Sequence, residues 1–401
     1  MAWLETCVMD SRLLFISEFI KGNYSMTELC ESFGISRKSG YKWLGRYIDR
    51  GPGGLADLSR APHSHPNALS DNVKSAILSI KKRFPYWGAV KISHRLGKDH
   101  SDWASYPCVS SISLFLKKEG LVCSRKRILR STPTEAPLTK GRNVNDVWCA
   151  DFKGHFKTGD GRRCNPLTMS DDVSRYLLCC RHLDNMTYDL VKMQFERVFR
   201  EFGLPLVIRT DNGHPFSSHG LCGLSRLSAW WIRLGIHPER IEAGKPQQNG
   251  RHERIHLTLK NQTAVPAARS IELQQKRFDE FMQEYNYERP HEALDMKTPA
   301  EIYSGSTRQL PKKIGDVEYA SGIDVRKVGK RGEIYLGGKV MFLSESLMGE
   351  YVGIERVEEN KSRLWFCNYM LGTFDHENRR IKPAKMYPLS AGVNPCLLIR
   401  Q

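Results

Sequence analysis

At 401 residues and 45.9 kDa, with 40% hydrophobic residues, the chain is long enough for roughly two to four compact domains. No stretch approaches the ~18 apolar residues of a membrane span, and Glu5, Asp10 and Glu18 stand where a secretory leader would be basic and then apolar, so a cytoplasmic address without membrane contact is expected. A formal charge of +17 with a pI near 9.4 makes the surface attractive to polyanions, nucleic acid foremost.

The eleven cysteines include no C-x-x-C pair, an odd and scattered set that reads as buried free thiols in a reducing compartment. From the N-terminus, "MTELCESFGISRKSGYKWLGRYIDRG" (26–51) puts Leu29, Cys30 and Phe33 on one helical face and breaks at Gly34-Ile35-Ser36. It resumes with Tyr41, Trp43, Leu44 and Ile48 among Arg37, Lys38, Lys42 and Arg46. This is a helix-turn-helix layout, whose second helix lies in the DNA major groove, so those four cations are the expected contacts to double-stranded DNA. A Pro- and Gly-rich loop (51–69) follows. The spans 71–82, 87–96 and 109–119 then carry the periodicity of three helices, closed by the basic run "SRKRILR" (124–130), as a second helix-turn-helix-like module. "STPTEAPLTKGRN" (131–143) has the composition of a linker.

Beyond Asp146 the pattern changes. Strands are expected within 147–156, 166–183 (two) and 204–213, with a helix over 188–203 between the last two regions, followed by helices near 221–234, 249–262 and 270–286: an α/β unit. The last ninety or so residues alternate short strand-like runs with Gly and charge, as a small β-barrel or sandwich does; Lys312, Lys313, Arg326, Lys327, Lys330 and Arg331 make its start basic.

Two aspartates end strands: Asp151 after "VWCA" and Asp211 after "VIRT", where a sheet presents side chains to a cleft. Glu253 opens a helix on which it shares a narrow arc with Leu257 and Lys260, while Ile255 and Leu259 point to the other side. Carboxylates are the hard ligands that Mg²⁺ prefers, and phosphoryl transfer on DNA needs metal ions at both the attacking and the leaving oxygen. Asp171, Asp172 and Asp184 read as solvated turn or edge residues, with Asp172 and Arg175 forming a local pair.

His252-Glu253-Arg254-Ile255-His256 also fits the H-E-x-x-H pattern of zinc proteases. The extended pattern needs glycine at 259 and histidine at 262, where this chain has Leu259 and Gln262; Glu272 and Glu280 stand in no recognisable ligand setting. A zinc metalloprotease is therefore the minor alternative, beside a DNA-binding regulator with an inactive core. The two histidines are expected as DNA contacts, as the edge of a metal site, or as plain helix-surface residues.

The segments "ADFKG", "SDDVSRY", "TDNGHPF", "GKPQQNGRHERIHLTLK" and "YNYERPHEALDMKTPAEIY" resemble the integrase catalytic core shared by retroviral integrases and insertion-sequence transposases, the wording around "GKPQQNGRHER" being that of the bacterial enzymes. The resemblance implies a ribonuclease-H-like α/β core over 146–305, flanked by all-α helix-turn-helix modules at 1–65 and 66–130, a linker at 131–145 and a basic β-barrel-like domain at 306–401. It implies an Asp, Asp, Glu triad at Asp151, Asp211 and Glu253 holding two Mg²⁺ or Mn²⁺ ions, with Lys260 and Arg254 on DNA. The implied activity is cleavage at the terminal repeats of a mobile element and joining of the freed 3′ hydroxyl to target DNA, by a homo-oligomer of at least two chains. A nucleoid-associated place in the cytoplasm goes with it. One departure stands out: the 41 residues between Asp211 and Glu253 exceed the usual spacing, an excess assigned to 217–231.

Overall fold

The computed structural model describes residues 7–59, 68–122, 138–218, 220–242, 244–384 and 396–398. The basic run 124–130 and the first half of the expected linker lie outside them. The chain divides into two compact units, Met1–Ser70 and Asp71–Gln401.

The first unit holds α1 (Val8–Lys21), α2 (Met26–Ser32) and α3 (Arg37–Arg50). Ser25 and Glu28 cap α2 reciprocally, Gly34 turns the chain at φ 64°, and Ser36 caps α3, which fixes the helix-turn-helix. Gly40, Trp43, Leu44 and Tyr47 form the stripe of α3 that packs on Phe15, Ile16, Leu29 and Cys30. A Cβ on Gly40 would lie 2.6 Å from Cys30 Sγ and 2.8 Å from Met26 Sδ, so the helices meet there backbone to side chain. Of the apolar residues in the second helical pattern, Tyr41 and Ile48 are exposed, because the inward stripe is complete without them.

In the second unit α4 (Asp71–Arg83), α5 (Ala89–Asp99) and α6 (Val109–Lys118) form a three-helix group. It is held to the segment 284–301 by Trp87 Nε1 donating to Glu284 (2.9 Å), Lys91 Nζ to Pro290 O (2.6 Å) and the Arg83–Glu288 pair (2.5 Å). Burial lowers the Lys91 ammonium to about 7.

The central sheet comprises β1 (Val147–Phe152), β4 (Pro166–Asp171), β5 (Leu177–His182), β6 (Val207–Thr210) and β7 (His237–Arg240), with a small β2 (Phe156–Lys157) and β3 (Arg163–Cys164) ladder beside it. Its order is β5-β4-β1-β6-β7: β4 is antiparallel to β1 and β5, whereas β6 and β7 run parallel to β1. β7, with Pro238 in it, was not expected; Pro is tolerated on an edge strand, which is where it lies.

One face packs on α7 (Tyr188–Phe202) and α8 (Arg226–Arg233) through Trp148, Leu167, Met169, Phe195, Phe199 and Trp231. The other carries α9 (Gly250–Leu259) and α10 (Ile271–Gln283), with Ile255, Leu259 and Phe278 against Leu177 and Cys180. Both helices run on into short π-helical turns, Lys260–Ala264 and Glu284–Glu288, before α11 (Pro299–Ile302).

The last part has β8 (Glu318–Tyr319), β9 (Asp324–Lys327), β10 (Glu333–Leu336), β11 (Lys339–Phe342), β12 (Tyr351–Glu358), β13 (Lys361–Phe366), β14 (Tyr369–Asp375), β15 (Arg380–Pro383) and β16 (Cys396–Leu398). The expected barrel-like closure is not formed among the described residues. The sheet is open, in the order β15-β14-β13-β12-β9, and β10 and β11 pair with each other as a separate hairpin. This sheet shares one core with α8: Leu224, Ala229 and Ile232 pack with Val352, Leu364, Phe366 and Leu371. Arg233–Glu350 (2.5 Å) and His237 Nδ1 to the Tyr369 hydroxyl (2.7 Å) fasten its edge. The 217–231 segment is thus the seat of the C-terminal sheet. Of the cysteines, Cys7 and Cys108 are exposed, against expectation, while Cys30, Cys149, Cys164, Cys179 and Cys180 are buried free thiols and Cys367 is also buried.

Candidate active site

Parallel pairing aligns Val147 with Val207 and Cys149 with Arg209. The pairing stops there; Asp151 stands two residues further along β1 and Asp211 just past the end of β6, near enough for their charges to interact. Asp211 is set by its own turn, its Oδ1 accepting from Gly213 N (3.0 Å) while Asn212 Nδ2 donates to Ile241 O (2.7 Å). Glu253 comes from the first turn of α9, exposed, with no hydrogen bond or ion pair among the described residues.

These acids feel one another. Burial and then the charge of Asp211 push the Asp151 carboxyl up from 3.8 to about 7, against the Phe152 backbone N–H and Lys153, with Glu253 adding the least. Among the described residues no three His, Cys, Asp or Glu side chains close in tightly enough to enclose an ion, so the acids are electrostatic neighbours and not a preformed cage. The donor set nevertheless fits a divalent cation: hard oxygen ligands, one of them pushed toward its neutral form by burial and by Asp211.

The histidines of the H-E-x-x-H pattern belong to the interior. His252, Ile255, His256 and Leu259 are the buried stripe of α9; Glu253, Leu257 and Lys260 lie on its exposed side. Both ring nitrogens of His252 are engaged, Nδ1 with Ser170 Oγ (2.8 Å) and Nε2 with Thr168 Oγ1 (2.8 Å). His256 Nε2 also meets Thr168 Oγ1 (2.6 Å), and its Nδ1 lies 3.6 Å from Asp151 Oδ2. Burial holds the two rings neutral, His252 down to about 3 and His256, with help from His252 and Lys153, to about 2. Zinc has no free nitrogen on His252, whose two ring nitrogens are both hydrogen-bonded in the interior. The protease reading is overturned on that geometry.

Other expectations are redistributed. Asp172 pairs with Arg251 (2.8 Å), not with Arg175, and is buried. Asp171 is also buried, accepting from Ser174 N (2.7 Å), Ser174 Oγ (2.6 Å) and Asn145 N (2.8 Å); Asp184 is solvated as expected. Arg37, Lys38, Lys42, Arg254 and Lys260 are exposed, whereas Arg46 is half-buried over the Trp43 ring (5.0 Å), with Arg12 on the same ring (3.7 Å). Lys153, two residues beyond Asp151, escaped the sequence reading. With Lys260 it borders a cavity of about 150 Å³ walled by Phe156, Leu259 and Ala264.

Comparison with known proteins gives the same outline. Integrase core domain models match residues 141–246 and 234–299, a helix-turn-helix domain model matches 11–63 and a homeodomain-like domain model 39–113. The chain is 29% identical over 194 residues to the uncharacterized 31.7 kDa protein of insertion element IS407 from Burkholderia multivorans, which covers 46% of this chain and 65% of that protein. It is 27% identical over 263 residues to the uncharacterized 39.2 kDa protein of insertion element IS476 from Xanthomonas euvesicatoria, covering 62% and 70%. The match thus spans about two thirds of each relative's length. Among solved structures, the HTLV-2 integrase catalytic core domain in complex with magnesium aligns over 41% of this chain and 100% of its own, at 18% identity and a TM-score of 0.33. The matched models identify an integrase core domain over residues 141–299, and the relatives are insertion-element proteins.

Proposed function

We propose that the protein is a DNA transposase that binds the terminal inverted repeats of an insertion sequence, cuts at the element ends and joins the 3′ hydroxyl to target DNA. What supports this reading is the placement of Asp151 on β1, Asp211 just past β6 and Glu253 on the exposed side of α9, within the span matched by integrase core domain models. Asp151, Asp211 and Glu253 would hold two Mg²⁺ or Mn²⁺ ions. Bound there, the ions supply activation of the attacking oxygen and neutralisation of charge developing at the phosphorus and on the leaving oxygen.

The chain's own residues do the rest. Asp151 is fixed by β1 and Asp211 by the turn after β6, and the exposed carboxylate of Glu253 on α9 would complete the set. Lys260 and Arg254, on the exposed side of α9, with Lys153 across the cavity mouth, hold the phosphates next to the scissile bond. In the first unit Arg37, Lys38 and Lys42 lie along the exposed side of the second helix of the helix-turn-helix, where the terminal repeat is read; Arg46 steadies that helix on Trp43. Holding two ends at once requires at least a dimer. The domain limits of 1–65, 66–130, 131–145, 146–305 and 306–401 serve as working boundaries for the division of labour.

The test is nicking of a labelled duplex carrying the element's end. Cutting should require Mg²⁺ or Mn²⁺, and Asp151→Asn should abolish it while leaving duplex binding intact. Cutting by Asp151→Asn at the wild-type rate would refute the assignment.

A further inference from the structure

Behind Asp151 lies a closed run of side-chain hydrogen bonds that the reaction as proposed does not use. Thr168 is the cross-strand partner of Asp151 in the β1–β4 pair, and its Oγ1 meets three atoms: Asp151 O (3.0 Å), His252 Nε2 (2.8 Å) and His256 Nε2 (2.6 Å). A hydroxyl has one proton, and a backbone carbonyl can only accept. The Thr168 proton therefore goes to Asp151 O, and both rings must donate through Nε2–H. That fixes both tautomers. His252 Nδ1 is then an acceptor, served by the Ser170 hydroxyl (2.8 Å), and His256 Nδ1 presents a lone pair to Asp151 Oδ2 at 3.6 Å.

The run has a direction: Ser170 donates to His252, His252 and His256 donate to Thr168, and Thr168 donates to the backbone of Asp151. Thr168, Ser170, His252 and His256 are all buried, so no water competes for these atoms, and each ring is held in one orientation. The ring of His256 in turn forms the wall behind Asp151 Oδ2. At 3.6 Å the fixed His256 ring limits how far Asp151 Oδ2 can rotate.

We infer that Thr168, His252 and His256 are positioning residues that set the orientation of the Asp151 carboxylate for divalent-ion binding. The inference rests on the metal-ion reading of Asp151, Asp211 and Glu253 given above, and adds to it the layer that aims its central ligand. Partners of this kind, set behind a metal ligand, typically alter affinity by about 10- to 100-fold when removed.

The experiment measures Mn²⁺ binding to the full chain without DNA, by the loss of the free-ion electron paramagnetic resonance signal, together with circular dichroism and thermal melting. Thr168→Val removes the hydroxyl and keeps the shape; Thr168→Ser keeps the hydroxyl. His256→Leu removes the donor, and His256→Gln keeps an N–H near the Nε2 position. Folded Thr168→Val and His256→Leu should bind Mn²⁺ about 10-fold or more weakly, and Thr168→Ser and His256→Gln within about threefold of wild type. A purely structural role would lower melting temperature without separating the two pairs in affinity. Unchanged affinity in folded Thr168→Val and His256→Leu overturns the inference, as does collapse of both, which would make the run an element of stability alone. Failure of the underlying reading looks different: wild type and Asp151→Asn would then bind Mn²⁺ equally.

Discussion

Asp151→Asn should stabilise the metal-free protein at alkaline pH. The folded-state carboxyl titrates near 7 instead of 3.8, so folding favours its neutral form; that contribution is complete below pH 3.8 and is lost as pH rises through about 7. At about 1.4 kcal/mol per pH unit, the interval places about 4 kcal/mol on the ionised group, and solvent relaxation around the 21% exposed carboxylate reduces the expected cost to about 2 kcal/mol. An amide carries no such penalty. In EDTA at pH 8, Asp151→Asn should therefore melt about 4 °C above wild type, at about 2 °C per kcal/mol for a unit of this size. At pH 5 about 40% of that difference should remain, and the two should converge only below pH 3.8. The buried histidines destabilise both proteins alike in acid and cancel from the difference. Saturating Mg²⁺ should then raise wild type alone, by about 2.7 kcal/mol at a hundredfold excess over its dissociation constant, and close or reverse the gap. Equal melting at pH 8 in EDTA, or a variant less stable at every pH, would refute the coupling of the acids.

The neutral rings of His252 and His256 predict acid lability of the second unit: folded-state values of about 3 and about 2 mean stability held above pH 6.5 and lost as pH falls below it, and far-ultraviolet circular dichroism should show the His252→Gln, His256→Gln double variant unfolding at lower pH. Arg209 and Glu239 form a buried pair at 2.7 Å, with Arg209 also donating to Thr139 O; Glu239→Ala should cost about 3–5 kcal/mol in urea unfolding because the guanidinium is left buried and unpaired. Gly40→Ala should lower the stability of the first unit by about 1–3 kcal/mol through its clash with Cys30 and Met26, read by thermal melting of the full chain. Reversing Arg37, Lys38 and Lys42 to Glu should reduce the slope of log K against log salt for end binding by about 0.9 per lost phosphate contact, and erase the preference for the cognate repeat over a scrambled duplex.

The helix-turn-helix, the core strands and the carboxylate positions were legible in the sequence because each rests on local periodicity or on a turn next to a strand end. The role of the histidines was equally local yet passed over. Positions 252, 255, 256 and 259 recur at helical spacing, so accepting Ile255 and Leu259 as inward already places His252 and His256 beside them. What the sequence did not hold was their partners, since Thr168 and Ser170 arrive from a strand more than eighty residues away. The same distance explains Asp172, whose charge is met by Arg251 across the fold and not by nearby Arg175, which the tight β4–β5 turn holds at φ 66°. Asp171 reads as a solvated turn acid and is instead the buried acceptor that organises that turn. β7 was missed because four residues containing a proline and two charges carry no strand signal; only its parallel neighbour makes it one. Openness of the last sheet is a question of which edge meets which, and alternation along each strand is silent on that.

The helix between the second aspartate and the glutamate is amphipathic twice over: Trp231 faces the central sheet, while Ala229 and Ile232 face the C-terminal one. A fragment trimmed at the end of the integrase core would strip the cover from that second side, leaving Leu224, Ala229 and Ile232 greasy and bare, prone to stick to one another in solution. Grafting a tail from a relative would meet the same obstacle unless the donor's matching helix travelled with it. Insert and tail are in this sense a single exchangeable cassette, interrupted in the chain by the glutamate's own helix.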